Sequence, residues 1–169
     1  MALPTPLPTP PLALRPIRPG DKAALAAGLT RLSRDSAYQR FLSPKPRFSA
    51  SELRYLSEVD FVDHYALVAT PVDAPGHVLA VGRWVRHADR PDSAEIAIVV
   101  ADHLQGRGVG TRVGEALAAA ARERGITRFT ATMLPENRAA RRLLARLTSS
   151  LHVRHDHGVD ELAAVLLAA

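Results

Sequence analysis

The stretch Ile96-Ala-Ile-Val-Val-Ala-Asp-His-Leu-Gln-Gly-Arg-Gly-Val-Gly-Thr111 decides how the rest of the chain is read. Its β-branched start predicts a strand, and the alanine-rich run that continues to Arg124 predicts a helix. A glycine-rich turn between the two leaves several N–H groups unpaired at the positive end of the helix dipole. That is an anion site suited to a diphosphate. Gly106, Gly108 and Gly110 remove the Cβ atoms that would hold a phosphate off the backbone. No Gly-Lys-Ser/Thr follows, so the turn is not a P-loop, and it lacks the GxGxxG spacing of a dinucleotide fold.

Outward from this stretch, patterning predicts a strand over Leu12–Ile17 and a helix over Lys22–Leu32 with Asp21 as its cap. A short helix covers Asp35–Phe41, and a third begins at Ser49 or Ser51 and runs to about Glu58. Strands follow at His64–Thr70, Val78–His87 and Ala94–Ala101, then at Arg128–Leu134, with a helix from Pro135. Near the end, Leu151–His155 and Val159–Leu167 predict a hairpin over Asp156-His-Gly158, although Glu161–Leu167 also has helix propensity.

Composition narrows the function classes. A chain of 169 residues, 47% hydrophobic and 23% charged, fits one domain with its own core. The expected domain spans residues 12–169, and residues 1–11 read as a Pro-rich disordered leader without the basic start of a signal peptide. The apolar runs are too short to span a bilayer. There is no cysteine, hence no thiol nucleophile, and the expected compartment is the cytoplasm. The net charge of +5 is almost all arginine, spread without aromatic interleaving. Solvated faces and an anion site therefore account for it better than a nucleic-acid surface.

The spacing Gln105-x-x-Gly108-x-Gly110 resembles the acyl-CoA signature of the GNAT superfamily of N-acetyltransferases. The resemblance extends through Ala94–Gly110 and reappears in Pro135-Glu-Asn-Arg-Ala-Ala-Arg-Arg-Leu-Leu144, which is similar to the family's Asn-bearing helix. Leu32–Leu42, Ser51–Asp60 and Tyr65–Ala69 resemble the acetyltransferase domain of bacterial Pat-type protein-lysine acetyltransferases. The implied fold is α/β, a mixed and mostly antiparallel sheet of six to seven strands flanked by helices. The implied cosubstrate is acetyl-CoA, with no metal. The implied acceptor is a protein such as an acyl-CoA synthetase, or else a small amine, and the implied assembly is a monomer or homodimer. A non-catalytic acyl-CoA-binding regulator is the alternative from another class.

An amine titrating near about 10.4 must lose a proton before it attacks a thioester. Glu95, ten residues before Gln105, is the expected base. It shares a strand face with Ala97 and Val99, where a covered sheet would strip its hydration. A solvated glutamate, or one paired with Arg83 or Arg86, is the structural alternative. Asp92, Asp102 and Glu136 are weaker candidates. The resemblance implies that the amides near Val99 and Val100 hold the pantetheine arm. Gln105, Gly106, Arg107, Gly108, Val109, Gly110 and Thr111 then surround the diphosphate, with Arg112 able to add charge. Asn137 would contact the arm, or simply cap its helix. Many relatives place a tyrosine seven residues after that asparagine to reprotonate the thiolate, and here Leu144 stands there. The family's usual Gly-Phe pair is replaced by Thr148-Ser-Ser150. His152, His155 and His157 read as a polar hairpin tip rather than a metal site. Tyr38, Tyr55, Tyr65 and Trp84 are expected in the core or a pocket wall.

Overall fold

In the computed structural model, which describes residues 8–169, each apolar period becomes an element of one mixed sheet and its flanking helices. In chain order these are β1 (Leu12–Pro16), α1 (Lys22–Arg31), α2 (Arg34–Phe41), α3 (Ala50–Ser57), β2 (His64–Pro71), β3 (Ala80–His87) and β4 (Arg90–Val100). There follow α4 (Val109–Glu123), β5 (Arg128–Met133), α5 (Arg138–Leu147), β6 (Thr148–Asp156) and β7 (Val159–Leu166). The seven strands lie in the order β1-β2-β3-β4-β5-β7-β6, and only β4 and β5 pair in parallel. Most of the expected leader, residues 1–7, lies outside the described residues. Among the described residues no helix is long and apolar enough to cross a membrane.

Alternation along β3 and β4 divides the side chains between two layers. Trp84, Ile96 and Ile98 face α4 and α5, in the larger core with Val113, Leu117, Phe129 and Leu144. Trp84 is fully buried, and its indole N–H donates to the Leu117 carbonyl at 3.2 Å. The opposite face of β2 carries Ala66 and Val68 against Ile17, Leu25 and Val78, a smaller core closed by α1 and α3. Gly82 lets α4 sit directly on β3, since a Cβ there would meet Val113 Cγ1 at 2.4 Å and Leu117 Cδ1 at 2.7 Å. Gly114 does the same between α4 and α5, where Leu147 Cδ1 would lie 2.9 Å away.

Several boundaries differ from expectation for local reasons. Asp21 precedes α1 but makes no side-chain cap bond to it. Its carboxylate instead accepts from Arg15 at 2.7 and 2.8 Å and from the Arg18 N–H at 2.8 Å, which ties β1 to the turn before the helix. Ser49, not Ser51, caps α3 in a reciprocal box with Glu52. The terminal segment is strand throughout, and β6 begins at Thr148, immediately after α5. Of the aromatics expected in the core or a pocket wall, Trp84 is in the core, whereas Tyr38 and Tyr55 are exposed at 44% and 57%.

Candidate functional site

Parallel pairing between β4 and β5 stops at Glu95 opposite Thr130, while β4 runs on to Val100 and β5 to Met133. The strands therefore part, and Ile96–Val100 have no ladder partner on that side among the described residues. The gap opens into a cleft of about 660 Å³. Its walls are Ile96–Val100 on one side and Asn137, Ala140, Leu143 and Leu147 on the other, with Gly106, Gly108, Gly110 and Thr111 at one end.

The glycine turn is built as its sequence requires. Gly106 and Gly108 have φ of +73° and +79°, the left-handed region where a side chain is strained, and a Cβ at either would meet nothing within 4 Å. Gly108 precedes α4 without any side-chain cap, so the N–H groups of the first turn of α4 face the cleft end without a capping side chain. Gln105 stands beside them and donates from Nε2 to the Val100 carbonyl at 3.1 Å, closing the loop on the end of β4. Arg107 is half-buried in the loop, and Arg112 reaches back to the Leu12 carbonyl at 3.3 Å.

A polar network fastens this loop to α2, and sequence reasoning missed it. Asp102 accepts from the Ser33 N–H at 2.7 Å, from the Ser36 hydroxyl, and from Gln105 Nε2 at 3.2 Å. Partial burial raises its pKa, but the donated bonds from Ser36 and Ser33 outweigh that and hold it below the usual carboxylate value. Asp102 is thus a strut and not a base. The same helix supplies Ser36, Gln39 and Arg40 to the cleft wall. The available signal was Ser33, the residue that caps α2, lying at the end of the quoted Leu32–Leu42 segment.

Glu95 lies outside this cleft lining, on the other face of β4. Pairing sets it in a row across the sheet, His64–Val85–Glu95–Thr130–Ala163–His152. The expectation that a covered sheet would strip its hydration fails, because Glu95 is exposed. The face it stands on is covered by α1–α3 only as far as β4, and beyond it Thr132, Ala163 and His152 are exposed. The pairing alternatives fail too. Arg83 binds the Leu56 carbonyl at 3.2 Å and faces His64 Nε2 at 2.8 Å, and Arg86 binds Asp63 at 2.8 Å. The charge that Glu95 acts on is Arg40, whose own pKa is lowered mainly by desolvation and raised in part by Glu95 and Tyr55.

Asn137 is the N-cap of α5, its Oδ1 accepting from the Ala140 N–H at 3.1 Å, and it lines the cleft from that position. Leu144 is buried at 3% in the core, with no polar group for proton transfer. Asp92, near the start of β4 rather than at the turn expected, and Glu136, at a turn, are both exposed and away from the cleft lining. His155 is held by Asp160 at 3.0 Å, and no group of three or more metal-binding side chains converges among the described residues.

Comparison with known proteins places the geometry in a family. A family model described as "Acetyltransferase (GNAT) domain" matches residues 12–148. The chain is 40% identical over 146 residues to Acetyltransferase Pat of Mycolicibacterium smegmatis. That match takes in 86% of this chain but 43% of the relative, so the chain spans less than half of that protein's length. The crystal structure of the GNAT domain of S. lividans PAT superposes with a TM-score of 0.80 at 35% identity, over 90% of this chain and 89% of that one. The cAMP-binding acyltransferase from Mycobacterium smegmatis superposes with a TM-score of 0.62 at 32% identity, over 93% of this chain and 44% of that one.

Proposed function

Because the chain belongs to the GNAT acetyltransferase family, we propose that it moves an acetyl group from acetyl-CoA to a primary amine, that of a protein lysine, with Glu95 as the general base. The observation that carries this reading is the placement of Glu95. It ends the stretch of β4 that pairs with β5, so the ligand cleft opens on one face of the strand immediately beyond it and an exposed carboxylate stands on the other.

The cleft fits the donor. Its apolar walls suit the pantetheine arm, and the unpaired edge at Val99 and Val100 can meet that arm's amides as another strand would. The turn from Gln105 and Gly106 through Arg107, Gly108 and Val109 to Gly110 and Thr111 offers N–H groups and positive charge to the diphosphate. Asn137 spends its Oδ1 on the cap and keeps its amide N–H groups for the cleft.

Bound acetyl-CoA supplies an electrophilic thioester carbonyl. Glu95 takes the proton from the incoming ammonium, directly or through one water, and leaves a neutral nitrogen poised where β4 and β5 part. With Leu144 apolar and buried, the departing thiolate draws its proton from solvent in the open cleft. The absence of cysteine argues for direct attack in a ternary complex. The uncovered face from β4 to β6 suits a folded acceptor better than a small cation, which would need enclosing walls. A protein such as an acyl-CoA synthetase is therefore the acceptor to try first.

The test is release of CoA thiol from acetyl-CoA, with protein acceptors and small amines in parallel. Release with a protein acceptor, with the acetyl group on a lysine by mass spectrometry, is the expected result. Release with small amines alone would overturn the protein acceptor, and tight acetyl-CoA binding without release under any condition would make the chain a binding regulator.

A further inference from the structure

On the α1–α3 side of the sheet lies a second chamber of about 420 Å³, within the size range of small-molecule sites. Leu25, Leu29, Phe41, Phe48, Leu56 and Val81 make its wall mostly apolar. Three guanidinium groups interrupt that wall: Arg83 from β3 and Arg40 from α2, with the exposed Arg31 at the end of α1. The lining's one carboxylate, Asp102, is exposed and already held by Ser33, Ser36 and Gln105.

Neither Arg83 nor Arg40 is neutralised in place. Arg83 is 5% exposed and spends only Nη1, on the Leu56 carbonyl and on His64. Burial first, and then the charge of Arg83, lower the pKa of His64 to about 4, so at neutral pH the ring is uncharged and accepts that proton. Arg40 makes no hydrogen bond or ion pair among the described residues and lies 4.9 Å from the Phe41 ring. The two cations also oppose each other: burial, then Arg40, lower the pKa of Arg83 to about 10, with Tyr55 acting the other way. The carboxylate that Arg40 feels, Glu95, is the exposed one already assigned to the amine. A pair of guanidiniums beside an apolar chamber is the arrangement that receives a carboxylate on a short aliphatic chain.

The chamber and the donor cleft have Arg40 and Val99 in common. The two cavities therefore adjoin at Arg40 and Val99, along the stretch of β4 that lies beyond its pairing with β5. Resting on the acyl-CoA reading above, we propose that this chamber receives the acyl part of a dicarboxylic acyl-CoA such as succinyl-CoA, its distal carboxylate held by Arg83 and Arg40. The amine nitrogen bonds to the thioester carbonyl carbon as the carbon–sulfur bond breaks. The proton released from nitrogen goes to Glu95, the thiolate takes one from solvent, and the distal carboxylate is carried unchanged into the amide product.

The experiment compares succinyl-CoA, butyryl-CoA and acetyl-CoA on one acceptor, for wild type, Arg83→Gln and Leu29→Phe. Butyryl-CoA matches the chain length without the charge. A charge-assisted bond to an arginine predicts a kcat/KM for succinyl-CoA about tenfold or more above butyryl-CoA. Arg83→Gln should remove that advantage while acetyl transfer stays within about threefold. Leu29→Phe narrows the chamber while keeping Arg83 and Arg40, and should depress succinyl and butyryl transfer but spare acetyl. It decides the matter if Arg83→Gln does not fold. No preference in wild type, or one that both variants leave intact, would overturn the proposal. So would free succinate raising the melting temperature while succinyl-CoA reacts no better than butyryl-CoA, because the carboxylate site would then belong to a free acid. Failure of acetyl-CoA itself to react would sink the transferase reading instead, and the same ratio would then be read from binding of the three thioesters by calorimetry.

Discussion

Gly82→Ala tests whether α4, and with it the glycine turn, is set by direct contact with β3. The added methyl would stand 2.4 Å from Val113 Cγ1 and 2.7 Å from Leu117 Cδ1. Both side chains are fully buried, and Val113 is β-branched, so neither can step aside without displacing its helix. Overpacking a core costs about 1–3 kcal/mol, and two simultaneous clashes put this variant at the upper end, about 2–3 kcal/mol. For a domain of this size each kcal/mol moves the melting temperature by about 2–4 °C, which gives a drop of about 4–12 °C. A retreat of α4 also moves its first-turn amides away from β4, so acetyl-CoA should bind about tenfold more weakly. Thermal melts and calorimetric titration with acetyl-CoA measure both effects. Gly76→Ala is the control, since a Cβ there meets nothing within 4 Å. A Gly82→Ala protein that melts with the wild type and binds acetyl-CoA equally well would refute the contact argument.

Gly108→Ala has space for its methyl, so its cost is the left-handed backbone, about 1–2 kcal/mol, and calorimetry should show weaker acetyl-CoA binding. Asp102→Asn weakens the acceptor shared by Ser33, Ser36 and Gln105. Hydrogen exchange over residues 34–41 should then quicken, while global stability, read by urea melts, changes by less than about 1 kcal/mol because the group is exposed. Asp21→Asn breaks the Arg15 pair and should cost about 1–3 kcal/mol at neutral pH. The Arg15 hydrogen bond, reinforced by the Arg18 N–H, holds the folded-state pKa of Asp21 below its unfolded value. The stabilisation is therefore complete above about pH 4 and is lost as pH falls through the folded value, so urea melts of variant and wild type should converge in acid.

What the sequence disclosed was whatever depends on local period and on glycine. The Gln105–Gly110 spacing located the turn, and alternation along Ala94–Val100 put Glu95 and Ile96 on opposite faces, as β4 has them. What it withheld depends on the third dimension. Alternation says which face a residue takes but not whether a helix covers that face, so Glu95 was expected dry and is exposed. Asp21 has the composition of a helix cap, yet Arg15, six residues away, outcompetes the helix N–H groups for its carboxylate. Ser33 and Ser36 lie 69 and 66 residues before Asp102, and no spacing rule joins them to it. The same holds for Arg40 and Arg83, which meet only because α2 lies across the sheet.

The central claim is that an exposed carboxylate where β4 parts from β5 removes the proton from the acceptor amine. The most direct test is kcat for acetyl transfer by Glu95→Gln with acetyl-CoA saturating, beside its affinity for acetyl-CoA. The account predicts a fall in kcat of about 10²–10⁴-fold with affinity unchanged, since Glu95 lies outside the donor cleft. Wild-type turnover in Glu95→Gln would contradict it, and so would a loss of acetyl-CoA binding large enough to explain the lost rate.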